Sequence, residues 1–278
     1  MSVSVYIDHR ESTPHSTIET GRIEFGEKTV IFRDEKPNEL TSSETLLSAT
    51  GLAAGIESLS CASRRYSELG LRALSVGHTH HDVRHPIRSN AEDIEAVSEL
   101  VSGDDKIHAV GLSRGFPAQV LATKHLPGKI NSLTAVAPAM MAPINPLRVA
   151  RIGVELVSET AMHPKDFGRV IIDCLKTVKD RPDVTISEVL RLTVGNVHKR
   201  VTDLREQQQE LDLHLVASFK DCFFDEKVLE ALAIRLGFDT FSLHRKGSAG
   251  HAAYAYSPEL AEGIFRNVTT YDKPKTAA

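Results

Sequence analysis

The sequence has little cysteine: Cys61, Cys174 and Cys222 are odd in number, far apart and free of any CxxC pair. A disulfide framework is therefore not expected, and reduced thiols are the simpler reading. Long apolar runs are missing as well. Nothing approaches the ~18 consecutive apolar residues of a membrane span. The N-terminus, MSVSVYIDHRESTPHS, lacks the basic stretch and apolar core of a signal peptide. These absences lead to the expectation of a cytoplasmic protein with no membrane span. Basic runs are absent too, and a net charge of −4 gives no reason to expect nucleic acid as a partner. Neither GxGxxG nor GxxxxGK(S/T) occurs, so no nucleotide cofactor is called for. No repeat or low-complexity tract is present, and nothing in the sequence speaks to oligomeric state.

What the sequence has is alternation. The 278 residues, 41% hydrophobic and 25% charged, can bury a sizeable core. RIEFGEKTVIF (22–32) reads as two short strands joined at Gly26-Glu27, a hairpin at a sheet edge. TLLSATG (45–51), LRALSVG (71–77), KIHAVGLS (106–113) and SLTAVAPA (132–139) read as buried strands. Helices fall between them: Leu59, Ala62, Tyr66 and Leu69 share one stripe, and Ile94, Val97, Leu100 and Val101 share another after a candidate N-cap at Asn90. A third helix is expected over 114–125. Near-continuous apolar strands joined by amphipathic helices predict a mostly parallel, doubly wound α/β sheet covered on both faces. Residues 143–205 break the pattern, with no convincing strand and several helical stripes, among them Phe167, Val170, Ile171, Cys174 and Val178. The strand pattern then resumes at LDLHLVASF (211–219) and FDTFSLH (238–244), with helices near 226–236 and 257–266. The expected division is a core of 1–142 and 206–278, with 143–205 inserted as a helical cap.

One strand exit carries chemistry. GLSRG brackets Ser113 with Gly111 and Gly115, just where a strand passes into a helix. A nucleophile on such a turn is strained and crowded by backbone, and glycines leave room for it. The helix that follows aims its N-terminal N–H groups at the serine. A serine needs a base, and the base needs an orienting acid. In sheets of this kind they follow in the order serine, acid, histidine. After the next-to-last strand, SFKDCFFDEKV offers Asp221, which can point across the sheet, and Asp225, which also suits the start of the next helix. After the last strand, HRKGSAGHAAY offers His244, inside or at the end of the strand, and His251, in a loop of small residues. Asp221 and His251 are the favoured acid and base. Two oxyanion donors are expected, the N–H of Arg114 after the serine and that of Leu52 in ATGLAAGIES after the first buried strand.

With these residues in place the chain resembles the α/β-hydrolase superfamily, of the type with a helical cap after the strand at 132–139. TGLAAGIES stands where the family has its oxyanion turn, GLSRG at its nucleophile elbow, SFKDCFFDEKV at its acid loop and KGSAGHAAY at its histidine loop. EDIEAV, with Asp93, is similar to the helix before the elbow strand. The likeness spans roughly residues 20–268. It implies a Ser113–His251–Asp221 triad with Leu52 and Arg114 as oxyanion donors, a carboxylesterase-like activity on an acyl substrate, and no cofactor. A thioesterase, an acyltransferase and a carbon–carbon bond hydrolase would use the same triad, and a non-catalytic small-molecule-binding protein would use the same fold. Two segments depart from the common pattern: Thr50 precedes Gly51 where many members have His-Gly, and GHTHHDVRHPIRS replaces an Asp-x-Arg-Gly loop. His78, His80, His81, Asp82 and His85 could be metal ligands, but their spacing matches no familiar site, and a solvated loop with no metal is expected.

Overall fold

The structure, a computed structural model, describes residues 3–51, 55–77, 85–103, 105–141, 172, 175, 179, 197–219, 221, 225–245, 254 and 257–270. Nine strands are described: β1 (Val3–Ser12), β2 (Ser16–Phe25), β3 (Lys28–Pro37), β4 (Thr45–Ala49), β5 (Arg72–Gly77), β6 (Ile107–Leu112), β7 (Ile130–Val136), β8 (Asp212–Ser218) and β9 (Thr240–His244). Numbered along the described chain, the helices are α1 (Ser60–Glu68), α2 (Pro86–Leu100), α3 (Gly115–His125), α4 (His198–Gln207), α5 (Glu226–Arg235) and α6 (Pro258–Thr270). A 3-10 turn, Ile56–Leu59, leads into α1.

The strands form one sheet in the order β1-β2-β3-β5-β4-β6-β7-β8-β9. β1, β2, β3 and β5 pair antiparallel in succession. From β5 through β9 every pairing is parallel. Side-chain alternation splits the interior into two cores. Leu47 and Ala49 of β4, Ala109 of β6, Leu133 and Ala135 of β7 and Leu215 of β8 pack beneath α2, α3, α4 and α5. Their neighbours Leu46, Val110, Val136 and Val216 face α1 and α6 on the other side. Both faces are covered, which is why β4 and β6 are buried without interruption and mostly apolar. The described end of the expected insertion belongs to this packing, since Val197, Val201 and Leu204 join the first core. The stripe through Phe167, Val170, Ile171, Cys174 and Val178 lies outside the described residues.

Three expectations need correction. The hairpin at 22–32 is not the edge: its strands are longer, and β1, too polar along one side to read as buried, pairs outside β2. Asn90 is not an N-cap, because α2 starts at Pro86, whose missing N–H and fixed φ suit a first helical position. Asn90 is instead buried within the helix, and Leu100, expected on its core stripe, is 45% exposed.

Candidate active site

The parallel strands end together at one edge of the sheet, and the candidate residues follow those ends. Such edges are where open α/β sheets take ligands. Ser113 leaves β6 near the middle. From Ile107 to Val120 every residue is buried except Ser113, which is partly exposed. Its φ of +49° lies in the left-handed region, a conformation that costs a residue with a Cβ about 1–2 kcal/mol. Backbone bonds hold it there. The Ser113 N–H donates to the Val136 carbonyl at 2.9 Å, while the Ser113 carbonyl accepts from Phe116 at 3.2 Å and Ala139 at 3.0 Å. Ala137, with φ +43°, donates in turn to Val216 at 3.0 Å, so the ends of β6, β7 and β8 are tied together.

The bracketing glycines are needed for space. A Cβ on Gly111 would lie 2.6 Å from the Phe116 amide nitrogen, and one on Gly115 would lie 2.8 Å from the Thr50 carbonyl oxygen. α3 therefore starts directly against the ends of β6 and β4. Gly51 reaches the same point, its Cβ position only 3.5 Å from the Ser113 Cβ. The exit of β4 and the serine thus meet at Gly51. Leu52 itself lies outside the described residues.

Asp221 follows β8 directly, is 5% exposed, and donates its N–H to Ser218 at 3.2 Å. Asp225 is the N-cap of α5, its side chain accepting from the Lys227 N–H at 3.0 Å. The two acids therefore occupy different settings: one buried at the strand exit, the other opening a helix. His244 is the last residue of β9, within 3.4 Å of the Ser257 hydroxyl, which also caps α6. His251 lies outside the described residues, as do His78, His80, His81 and Asp82; His85 immediately precedes α2. Among the described residues no group of acids, histidines and cysteines is arranged to hold a metal ion.

No protein-family model and no curated protein sequence matches the chain. Solved structures do. An esterase from Thermogutta terrifontis superposes with a TM-score of 0.66 at 13% identity, covering 96% of this chain and 98% of its own. The thioesterase domain from the curacin biosynthetic pathway gives 0.64 at 13% identity over 89% and 99% of the two chains. A bromoperoxidase from Bacillus anthracis gives 0.66 at 8% over 90% and 99%. The chain has the α/β-hydrolase fold. At these identities the likeness is one of fold.

Two features of this α/β-hydrolase fold carry side chains whose part the sequence reading missed. Arg114 was singled out for its N–H alone, yet its side chain is 1% exposed and donates from Nη2 to the Gly51 carbonyl at 3.1 Å. Burial pushes its guanidinium down to about 9, against the opposing field of the buried Asp93 carboxylate on α2. Tyr254, three positions after His251, is 1% exposed. Its hydroxyl is 2.8 Å from Ser48 of β4 and 3.2 Å from Tyr66 of α1. These bonds tie Tyr254 to β4 and α1. The signal available in the sequence was a tyrosine, Tyr254, within a run of small residues.

A hydrogen-bonded serine–histidine–acid chain lies at the opposite edge of the sheet. His108 is 2.8 Å from the Ser132 hydroxyl through Nδ1 and 3.0 Å from Glu44 through Nε2. Glu44 and His108 line an open groove of about 910 Å³ there, and the imidazole holds the Glu44 carboxyl below its usual range in spite of burial. Ser132, however, lies within a strand and is 1% exposed. No substrate reaches it. The set ties β6 to β7 and to the approach of β4. Among the described residues no helix is long and apolar enough to cross a membrane.

Proposed function

We propose that the protein is a cytoplasmic serine hydrolase of carboxylic esters or related acyl compounds. Ser113 is the nucleophile, His251 the base and Asp221 the acid that orients it, with the N–H groups of Leu52 and Arg114 as oxyanion donors. The observation that carries this reading is Ser113 itself. It is held at φ +49° between two glycines and is the one residue of its buried stretch that solvent reaches. A strained, partly exposed serine on a buried turn has no packing rationale, whereas a nucleophile needs both strain and access.

In the reaction, His251 takes the Ser113 proton as the oxygen attacks the acyl carbonyl. The oxyanion forms between the two N–H donors, each worth about 3–4 kcal/mol. His251 then protonates the leaving alkoxide, leaving an acyl-serine. Water gives its proton to His251 and attacks the ester, and the carboxylic acid departs as Ser113 recovers its proton. Residues 143–205 form the substrate wall as a helical cap. The solved neighbours include an esterase and a thioesterase domain, so oxygen and sulfur esters both belong in the first substrate panel.

A fluorophosphonate probe tests the reading. The wild type should be labelled and Ser113→Ala should not. Labelling that survives in Ser113→Ala refutes it in favour of another nucleophile, and a wild type that stays unlabelled refutes it in favour of a binding protein on this fold.

A further inference from the structure

Arg114 is a costly residue to keep. A guanidinium at 1% exposure, directly after the nucleophile, loses most of its hydration. Its opposing charge, Asp93, is itself fully buried on α2. Replacing buried charges by apolar groups is often neutral or stabilising, so burial of this guanidinium is not explained by stability. Among its contacts, the guanidinium donates from Nη2 to the Gly51 carbonyl at 3.1 Å.

That carbonyl matters because of where it sits. Gly51 abuts Ser113, and the ends of β4 and α3 meet through Gly115 at the same place. A peptide unit is planar, so a carbonyl that cannot turn holds the amide bonded to it in one direction. A glycine would otherwise leave this peptide free to rotate, since it imposes few limits of its own.

We propose that Arg114 is a positioning residue for acyl transfer, its side chain locking the Gly51 peptide so that one residue sets both oxyanion donors. Its own N–H is one donor, and its guanidinium orients the other through the Gly51 carbonyl. The inference rests on the serine-hydrolase reading and names what holds that site in register. A carbonyl left without its donor costs the transition state more than it costs substrate binding, because the oxyanion exists only there. The burden therefore falls on kcat.

Three variants separate this role from a structural one: Arg114→Met, Asp93→Asn and the double variant. A short p-nitrophenyl ester serves as substrate, and kcat is divided by the fraction of sites that a fluorophosphonate titrates. Arg114→Met alone removes a charge whose field favours the buried Asp93 carboxylate and should lower the melting temperature. The double variant removes both charges and should recover part of that loss. If Arg114 positions the donors, kcat per titrated site stays down about 10- to 100-fold in the double variant, with KM within about 3-fold of the wild type. If Arg114 is only structural, kcat returns with stability, and the proposal is overturned. Should Arg114→Met not fold, the double variant alone decides. Guanidinium ion added at millimolar concentration to Arg114→Ala should raise kcat per site; no rise at any concentration below unfolding also counts against the lock. A wild type that no fluorophosphonate labels is a different result: it removes the hydrolase reading, and this proposal with it.

Discussion

Gly111→Ala is the most direct test of why the elbow is built as it is. The added methyl would lie 2.6 Å from the Phe116 amide nitrogen, about 0.8 Å short of the 3.4 Å at which ordinary contact begins. The obstacle is backbone, and backbone of a helix whose next turns, through Phe116, Ala118 and Val120, are fully buried. No side chain can swing aside, so α3 or the end of β6 must shift. Overpacking of this kind costs about 1–3 kcal/mol, which for a chain of this length lowers Tm by roughly 2–10 °C. Function should suffer more than stability. A displacement near 1 Å at reacting groups can cost about 100-fold in rate, and the Arg114 N–H lies within the shifted segment. Gly263→Ala, in α6, is the control: nothing lies within 4 Å of its Cβ position. It should stabilise by about 0.5–1 kcal/mol and leave activity alone. The assay is differential scanning calorimetry beside the fluorophosphonate labelling rate. A Gly111→Ala protein with wild-type Tm and wild-type labelling would refute the close-approach argument.

Other outcomes follow from the same geometry. Asp221→Asn should lower kcat by about 10⁴-fold with little change in Tm. Asp225→Ala should cost about 1 kcal/mol as a lost N-cap and leave kcat unchanged; the reverse pattern in titrated kinetics would exchange the two acids. His251→Ala should fold, by circular dichroism, and be nearly inactive; retained turnover would show another base at work. Burial first, moderated by hydrogen bonds from Ser48 and Tyr66, pushes the Tyr254 hydroxyl up to about 12 from 10. The unfolded chain then loses this proton first, so stability is intact below pH 10 and falls by about 1.4 kcal/mol per pH unit as pH rises toward 12. Tyr254→Phe should flatten that alkaline limb in urea titrations, at a cost near 1 kcal/mol at neutral pH for the lost hydrogen bonds. An unchanged limb would assign it elsewhere.

The sheet was legible because burial on both faces writes itself as unbroken apolar runs. TLLSA and IHAVGL are mostly apolar on both sides, and each falls on a strand within one or two residues. β1 escaped because an edge strand has no such demand: VSVYIDHRES is exposed along most of its length, and its pairing with β2 comes from backbone groups that the sequence does not show. The start of α2 was misplaced for a similar reason. Asn90 has the right chemistry for a cap, but Pro86 fixes the first turn, and the buried surroundings override local preference. At the site, Ser113 and its glycines were legible because backbone crowding restricts residue type at those positions. The guanidinium of Arg114 was not. An arginine after a serine reads as solvated unless the tertiary structure is known to close over it.

Ser132, His108 and Glu44 sharpen what the Ser113 assignment rests on. Ser113 and Ser132 lie on adjacent strands or strand exits of one sheet, and Ser132 belongs to a hydrogen-bonded serine, histidine and acid set. Hydrogen bonding therefore does not distinguish a nucleophile from a clamp. Conformation and access do. Ser132 lies within a relaxed strand, buried, at the edge where the parallel strands begin. Ser113 is strained and partly open at the edge where they end, with a helix N-terminus behind it. Ser132→Ala should accordingly cost about 1 kcal/mol of stability for a buried hydrogen bond and leave fluorophosphonate labelling at the wild-type rate. Labelling that falls with Ser132 and persists without Ser113 would move the chemistry to the other end of the sheet.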